Sequence, residues 1–195
     1  MYKRQALTHA VEAYIGNSTT KETREMAEEA VSLIYQHLKN AYEDGRNKEA
    51  RSGMLRAAYC AGVAFTKSYV GYIHAVAHSL GGQYGTPHGL ANAVILPIVL
   101  RMYGSACWKK LAQLARKAGV VEQGLSDEET AKCFIDWIQE MNDSMEIPRH
   151  FPQIRRKDIP VMARHADKEG NPLYPVPVLM NRKELERIYE EVKGR

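Results

Sequence analysis

Apolar residues recur at helical spacing along almost the whole chain, and no segment shows the alternation expected of a strand. Residues 6–15 place Leu7, Val11 and Tyr14 on one helical face. The nearly continuous apolar run NAVILPIVL predicts a helix at the centre of the domain, which Pro97 should kink or end. The chain is therefore predicted to be an all-α domain, a multi-helix bundle of roughly seven to nine helices.

Glycines, prolines and capping residues indicate where these helices begin and end. Thr19 with Glu22, and Ser126 with Glu129, have the spacing of a capping box. Residues 147–160, rich in proline and arginine, are predicted to be a loop. The predicted helices cover about 6–15, 19–44, 48–69, 71–82, 87–100, 105–118, 127–142, 159–167 and 181 to the end.

Length and composition exclude several classes of protein. With 195 residues, 45% hydrophobic and 26% charged, the chain suits one globular domain, and its net charge of +4 is too small to indicate nucleic acid. Three cysteines without CxxC spacing argue against a disulfide framework and predict buried, reduced thiols in the cytoplasm. No apolar run reaches transmembrane length, and MYKRQ lacks the apolar centre of a signal peptide, so neither membrane nor secretion is expected.

Four of the seven histidines are candidate metal ligands. His74 and His78 lie four residues apart on one predicted helical face, His88 follows a glycine-rich turn, and His9 is on a distant helix. Imidazole is the commonest metal ligand, so this pattern favours a divalent cation. Spacing alone leaves open that the histidines are ordinary buried residues, and it does not say which of His74 and His78 would be a ligand. The helix lacks the glutamate of HExxH, which argues against a zinc protease.

Two stretches carry a resemblance to a known family. Residues 61–96, AGVAFTKSYVGYIHAVAHSLGGQYGTPHGLANAVIL, closely resemble the signature region of iron-containing (group III) alcohol dehydrogenases. ALTHAVEAYIG at residues 6–16 resembles the upstream metal motif of that family, D-x-x-x-H-A-x-E-A-Y. The tail from Asp158, with Asn171 and Pro172, is also similar to the family's C-terminal pattern.

This resemblance implies one half of a two-domain enzyme. In the family, an N-terminal α/β domain binds NAD(P), and a C-terminal all-helical domain, also described as dehydroquinate synthase-like, holds the metal. The sequence has no glycine-rich phosphate loop after a strand, so residues 6–195 are expected to be the C-terminal domain alone. The implied activity is reversible hydride transfer between a small alcohol or aldehyde and NAD(P). The half is expected to be inactive alone and to form homo-oligomers only within the full-length enzyme.

The resemblance also implies roles for individual residues. His9, His74 and His88 would hold the metal, Fe(II) by family or Zn(II) by ligand chemistry. His78 matches a histidine that faces the nicotinamide, which makes it a cofactor-binding residue and a candidate for proton relay. Phe65 matches an aromatic residue of the substrate pocket, although an ordinary core aromatic is equally consistent with composition.

One position departs from the family motif. The family has an aspartate as its fourth metal ligand four residues before the first histidine, and this chain has Gln5 there. A neutral amide is a weaker ligand for a hard dication than a carboxylate. Residues 1–5, MYKRQ, resemble nothing in the family and are expected to be a truncation scar, with Gln5 an artefact in place of a native aspartate.

Two other interpretations remain open from the sequence. The chain could be a catalytically dead metal-binding or interaction module, which Gln5 favours slightly. It could also belong to a maleylacetate reductase or glycerol dehydrogenase-like enzyme, although the long match HAVAHSLGGQYGTPHG favours the alcohol dehydrogenase branch.

Overall fold

The described part of the chain contains nine α-helices and one short 3₁₀ turn, joined by loops. The computed structural model describes the backbone of residues 2–194 and the side chains of residues 5–194, and it contains no strand in that range. The predicted all-α bundle is therefore confirmed. The helices are α1 (Tyr2–Ile15), α2 (Lys21–Glu43), α3 (Lys48–Ser68), α4 (Tyr72–Tyr84), α5 (His88–Tyr103), α6 (Ser105–Lys117), α7 (Asp127–Ser144), α8 (Ile159–Gly170) and α9 (Arg182–Lys193).

Two helices, α1 and α5, lie at the centre of the bundle. In α5, as its apolar composition predicts, every residue from Ala91 to Pro97 is buried. The other central helix, α1, packs against α2, α3, α5 and α6, and all its residues from Ala10 to Ile15 are buried. This enclosure includes Glu12, the one acidic side chain of that segment. An acidic group in such a place must find polar partners within the protein.

The two helices with predicted capping boxes begin close to the predicted residues, and one of the boxes lies one residue later than predicted. The box predicted for Thr19 and Glu22 is wrong by one residue, because Thr20 caps α2 and its reciprocal partner is Thr23. The Thr23 backbone N–H donates to Thr20 Oγ1 at 3.2 Å, and the Thr20 N–H donates to Thr23 Oγ1 at 2.8 Å. The box predicted for Ser126 and Glu129 is confirmed.

Pro97 does not end α5, contrary to one of the two predicted outcomes. The helix continues through it to Tyr103. A proline removes one backbone hydrogen bond and crowds the preceding turn. Here Leu96 and Val99 on either side of it are almost fully buried, and their packing offsets that local cost.

Two of the three cysteines lie where they were predicted. Cys60 and Cys107 are buried as predicted, but Cys133 is exposed, because α7 turns its neighbour Phe134 toward the core instead. All three are free thiols. Across residues 2–194, no helix is both long and apolar enough to cross a membrane.

The close approach of α8 to α4 requires glycine at position 170. A Cβ atom on Gly170 would lie 2.8 Å from Cε1 of the Tyr72 ring, which is fully buried. We therefore expect Gly170→Ala to lower the free energy of unfolding by about 1–3 kcal/mol, because the buried ring has no room to retreat. Urea denaturation followed by circular dichroism measures this change.

Gly62, within α3, is the matched control. A Cβ there meets no atom within 4 Å. We expect Gly62→Ala to be neutral or to stabilise by up to about 1 kcal/mol, since alanine favours the helix. Equal loss of stability in both variants would contradict steric contact with Tyr72 as the cause.

Candidate metal centre

Three helices bring four histidines into one cluster. His9 comes from α1, His74 and His78 from α4, and His88 from the first residue of α5. The ring centroids of His9 and His74 are 4.8 Å apart, those of His74 and His88 5.3 Å, and those of His78 and His88 5.0 Å. A short turn, residues 85–87, makes this possible, because Gly85 adopts the left-handed backbone (φ 64°) that closes α4. The turn is less rich in glycine than predicted, since Gly81 and Gly82 lie within α4.

His74 is the innermost member of the cluster. Its side chain is only 3% exposed, and its Nδ1 forms a hydrogen bond with the buried carboxylate of Glu12. Its other ring nitrogen, Nε2, is buried without a hydrogen-bond partner. An unpartnered buried nitrogen is unfavourable unless something binds it, so Nε2 is the atom best suited to hold a ligand.

His78, one turn further along α4, is at the surface of the cluster. Its Nδ1 lies 2.7 Å from Oε1 of Glu169 on α8, and that oxygen also accepts a hydrogen bond from the Tyr174 hydroxyl at 2.7 Å. The hydrogen bond to the Glu169 carboxylate raises the pKa of His78 above its usual value. The exposed ring therefore takes up a proton more readily than a free imidazole.

The two outer candidate ligands are neutral at physiological pH. Burial, with smaller contributions from neighbouring histidines, lowers the pKa of His9 to about 3 and that of His88 to about 4. Neutral imidazole is the form that binds metals. Asn92 donates from Nδ2 to Nε2 of His88 at 2.9 Å, while its own Oδ1 is buried without a partner.

Phe65 lies beside the cluster, and Gln5 is on the same helix as His9. The Phe65 ring, half-buried on α3, stacks on His9 with centroids 4.0 Å apart. Gln5 precedes His9 by one turn of α1 and is half-buried. The structure thus brings all the sequence-predicted site residues to one place. Met1 and the side chains of residues 2–4 of the predicted scar lie outside the described residues.

The cluster is not a closed metal cage. Within residues 5–194, no three His, Cys, Asp or Glu side chains are arranged so that they could hold an ion as they stand. The donor chemistry nevertheless fits a dication, because neutral imidazoles surround a buried nitrogen that has no partner. Coordination would require the rings to turn toward a common point.

Sequence reasoning missed the polar partners of the histidines. Glu12, Glu169 and Asn92 each bond one of the four rings, and two of these contacts join residues more than 60 positions apart. A signal for Glu12 was present, since it is the one charged residue in the otherwise apolar segment from Ala10 to Ile15. Glu169 stands among other charged residues and offers no such signal.

Comparison with known proteins gives matches over nearly the whole chain. The family described as "Fe-containing alcohol dehydrogenase family, C-terminal" matches residues 4–192. The 1,3-propanediol dehydrogenase of Citrobacter freundii is 40% identical over 188 residues, which is 95% of this chain and 48% of that protein. Lactaldehyde reductase of Escherichia coli is 34% identical over 86% of this chain and 45% of that protein.

Solved structures agree with these matches. A crystal structure of 1,3-propanediol oxidoreductase superposes with a TM-score of 0.90 at 39% identity, covering 96% of this chain and 49% of the other. Alcohol dehydrogenase from Oenococcus oeni gives a TM-score of 0.91 at 32% identity, covering 97% of this chain and 50% of the other. The chain thus spans about half the length of the proteins it matches.

Proposed function

Because the chain belongs to the Fe-containing alcohol dehydrogenase family, we propose that it is the metal-binding half of an NAD(P)-linked alcohol dehydrogenase. The reaction is reversible hydride transfer between a small alcohol and NAD(P)+. The observation that carries the proposal is the buried, unpartnered Nε2 of His74 beside the neutral imidazoles of His9 and His88. The relatives' names extend it to small alcohols and aldehydes such as 1,3-propanediol and lactaldehyde.

The proposed ligands are His9, His74 and His88, with residue 5 as the fourth position. Imidazole nitrogens suit Fe(II), Zn(II) and other first-row dications, so iron follows from the family and not from the ligand set. When bound, such a cation supplies Lewis acidity toward the alcohol or carbonyl oxygen. The chain's own contribution is to keep His9 and His88 neutral and to hold the three imidazoles close to one another.

His78 is the proposed proton carrier. It is exposed, it neighbours His88, and Glu169 holds its Nδ1–H while Tyr174 holds the carboxylate. A ring fixed in this way can take a proton from the reacting hydroxyl side and pass it to water. The same exposed position is the one from which it would face the nicotinamide, and Phe65 beside His9 would form a wall of the substrate pocket.

We propose that the chain works together with a nucleotide-binding domain and with further copies of the enzyme. NAD(P) would be held mainly by a nucleotide-binding domain, and the surface near His78 suits such a contact, because Leu173, next to Tyr174 in the chain, is 80% exposed. We further propose that the full-length enzyme is a homo-oligomer. The three free thiols suit the reducing cytoplasm.

Gln5 supports a second candidate function, a metal-binding or interaction module without activity. A carboxylate at this position would supply negative charge to a dication, and an amide does not. The two candidates differ in what an aspartate at position 5 would restore.

Metal analysis tests the proposal. We expect the purified chain, loaded with Zn(II) or Fe(II), to hold close to one ion per chain, and His74→Ala and His88→Ala to weaken binding by at least about 100-fold. Competition with a chromophoric chelator measures the affinity. His150→Ala is the control, because this exposed histidine bonds a backbone carbonyl of α9, outside the cluster.

The same affinities are then measured for the three histidine variants in a chain that also carries Gln5→Asp. Tighter binding with aspartate, lost again when His74 is replaced, identifies position 5 as the fourth ligand. Metal bound only in the Gln5→Asp background favours the inactive module for the chain as it stands. Absence of binding in every form, or equal binding in the His74 and His150 variants, contradicts the proposed centre.

A further inference from the structure

Glu12 is a carboxylate buried in the core of the bundle beside the histidine cluster. Its side chain is 2% exposed. Burying a charge is costly unless it is paired and hydrogen-bonded, and Glu12 reaches from α1 to the first turn of α4 to find its partners. Gly71 leaves space for this approach, because a Cβ there would lie 2.9 Å from Oε1 of Glu12.

The two carboxylate oxygens of Glu12 have different hydrogen-bond partners. Oε1 accepts the backbone N–H of Ile73 at 2.9 Å. That N–H belongs to the first turn of α4, whose N-cap residue Gly71 offers no side-chain cap. Oε2 faces Nδ1 of His74. A carboxylate only accepts hydrogen bonds, so Nδ1 must carry the ring proton and Nε2 must be the nitrogen with the free lone pair.

We propose that Glu12 is a positioning residue that fixes the Nδ1–H tautomer of His74 and thereby presents an unprotonated Nε2 to the metal. That a metal binds at this site is part of the proposed function, on which this inference rests. The alternative is that Glu12 only caps α4 and that the tautomer of His74 is set otherwise. Carboxylate–histidine pairs of this kind orient the ligand ring and raise its basicity at metal centres in general.

Glu12→Gln separates these two roles. Glutamine has nearly the same shape, and its carbonyl oxygen can still accept the Ile73 N–H. The amide NH₂ then faces Nδ1 of His74 and can only donate, which forces the ring proton onto Nε2. The opposite amide orientation would place NH₂ against the Ile73 N–H, two donors facing each other, so the helix N-terminus selects the orientation that changes the tautomer.

Two measurements on the same chain read out the change. Long-range ¹H–¹⁵N spectra of the metal-free protein report which nitrogen of His74 is protonated. We expect Nδ1–H in the unmodified chain and Nε2–H in Glu12→Gln. In a Zn(II) competition titration we expect the variant to bind about 10–100-fold more weakly. Circular dichroism confirms that both forms are folded.

Glu169→Gln is the matched control. It makes the same substitution in a carboxylate that bonds the other histidine of α4, His78. We expect it to leave the His74 tautomer unchanged and to alter the Zn(II) affinity less than about threefold, since Glu169 bonds no proposed ligand and solvent screens its partly exposed charge.

The outcomes separate this inference from the proposed function. Nε2–H on His74 in the unmodified chain overturns the role of Glu12, and so does Nδ1–H retained in Glu12→Gln with unchanged affinity. If Glu12→Gln does not fold, the spectrum of the unmodified chain alone decides. A different result would contradict the proposed metal centre. In that case His74→Ala would leave the Zn(II) affinity unchanged, whichever tautomer of His74 the spectra show.

Discussion

Replacing Tyr72 by alanine should lower the free energy of unfolding by about 3–5 kcal/mol, as expected when a large buried aromatic ring is removed. Tyr72 has no exposed surface, and its ring packs against Gly170 of α8. Its hydroxyl also bonds the side chain of Asn171 and accepts the backbone N–H of Met180 at 3.0 Å. In thermal denaturation, the midpoint should fall by on the order of 10 °C for a chain of this size.

Tyr72→Phe divides this effect into its two parts. The ring and its packing remain, but the buried Met180 N–H loses its acceptor, so we expect a loss of about 1–3 kcal/mol. A loss as large as that of Tyr72→Ala would mean that the hydroxyl, and not the ring, holds the segment after α8 in place. A negligible loss in Tyr72→Ala would contradict the buried position itself.

The helices could be predicted because their signals are local. Ser126 with Glu129 specifies the start of α7 within four residues of chain, and apolar periodicity specifies which face of each helix is buried. The prediction for α2 missed by one residue where Thr19, Thr20 and Thr23 offered several competing hydroxyl groups. Pro97 does not end α5, which was one of its two predicted effects, because the burial of neighbours such as Leu96 and Val99 outweighs the local cost of the proline.

The candidate site was predictable only as far as the histidines themselves. Residues four apart on a helix point in directions about 40° apart, so spacing could not distinguish His74 from His78. In the structure the two rings have different surroundings, because the Glu12 side chain reaches from α1 to the start of α4: His74 faces Glu12 and the interior, and His78 faces Glu169 and solvent. Contacts between such distant segments exist only once the chain has folded.

Joining this chain to a nucleotide-binding domain should produce the activity that the chain alone is expected to lack. We propose a fusion of the N-terminal half of Citrobacter freundii 1,3-propanediol dehydrogenase to residues 6–195, with aspartate at position 5 as in the family motif. NAD(P)-linked oxidation of the proposed alcohols, followed as absorbance of the reduced nicotinamide, should be undetectable for the chain alone and measurable for the fusion. Hydride transfer requires the cofactor beside the cluster, and the exposed ring of His78 marks the side on which it can approach.

The His74→Ala form of the fusion tests whether this activity depends on the cluster. Metal stabilisation of charge contributes several kcal/mol, so kcat/KM should fall by roughly 10³-fold. His150→Ala should leave it unchanged, since that side chain bonds only the α9 backbone at a distance from the cluster. Activity of the unfused chain, or activity of the fusion that survives His74→Ala, would place the chemistry elsewhere. A folded but inactive fusion that binds metal would favour the module without catalysis, because binding and turnover would then be separate properties of this domain.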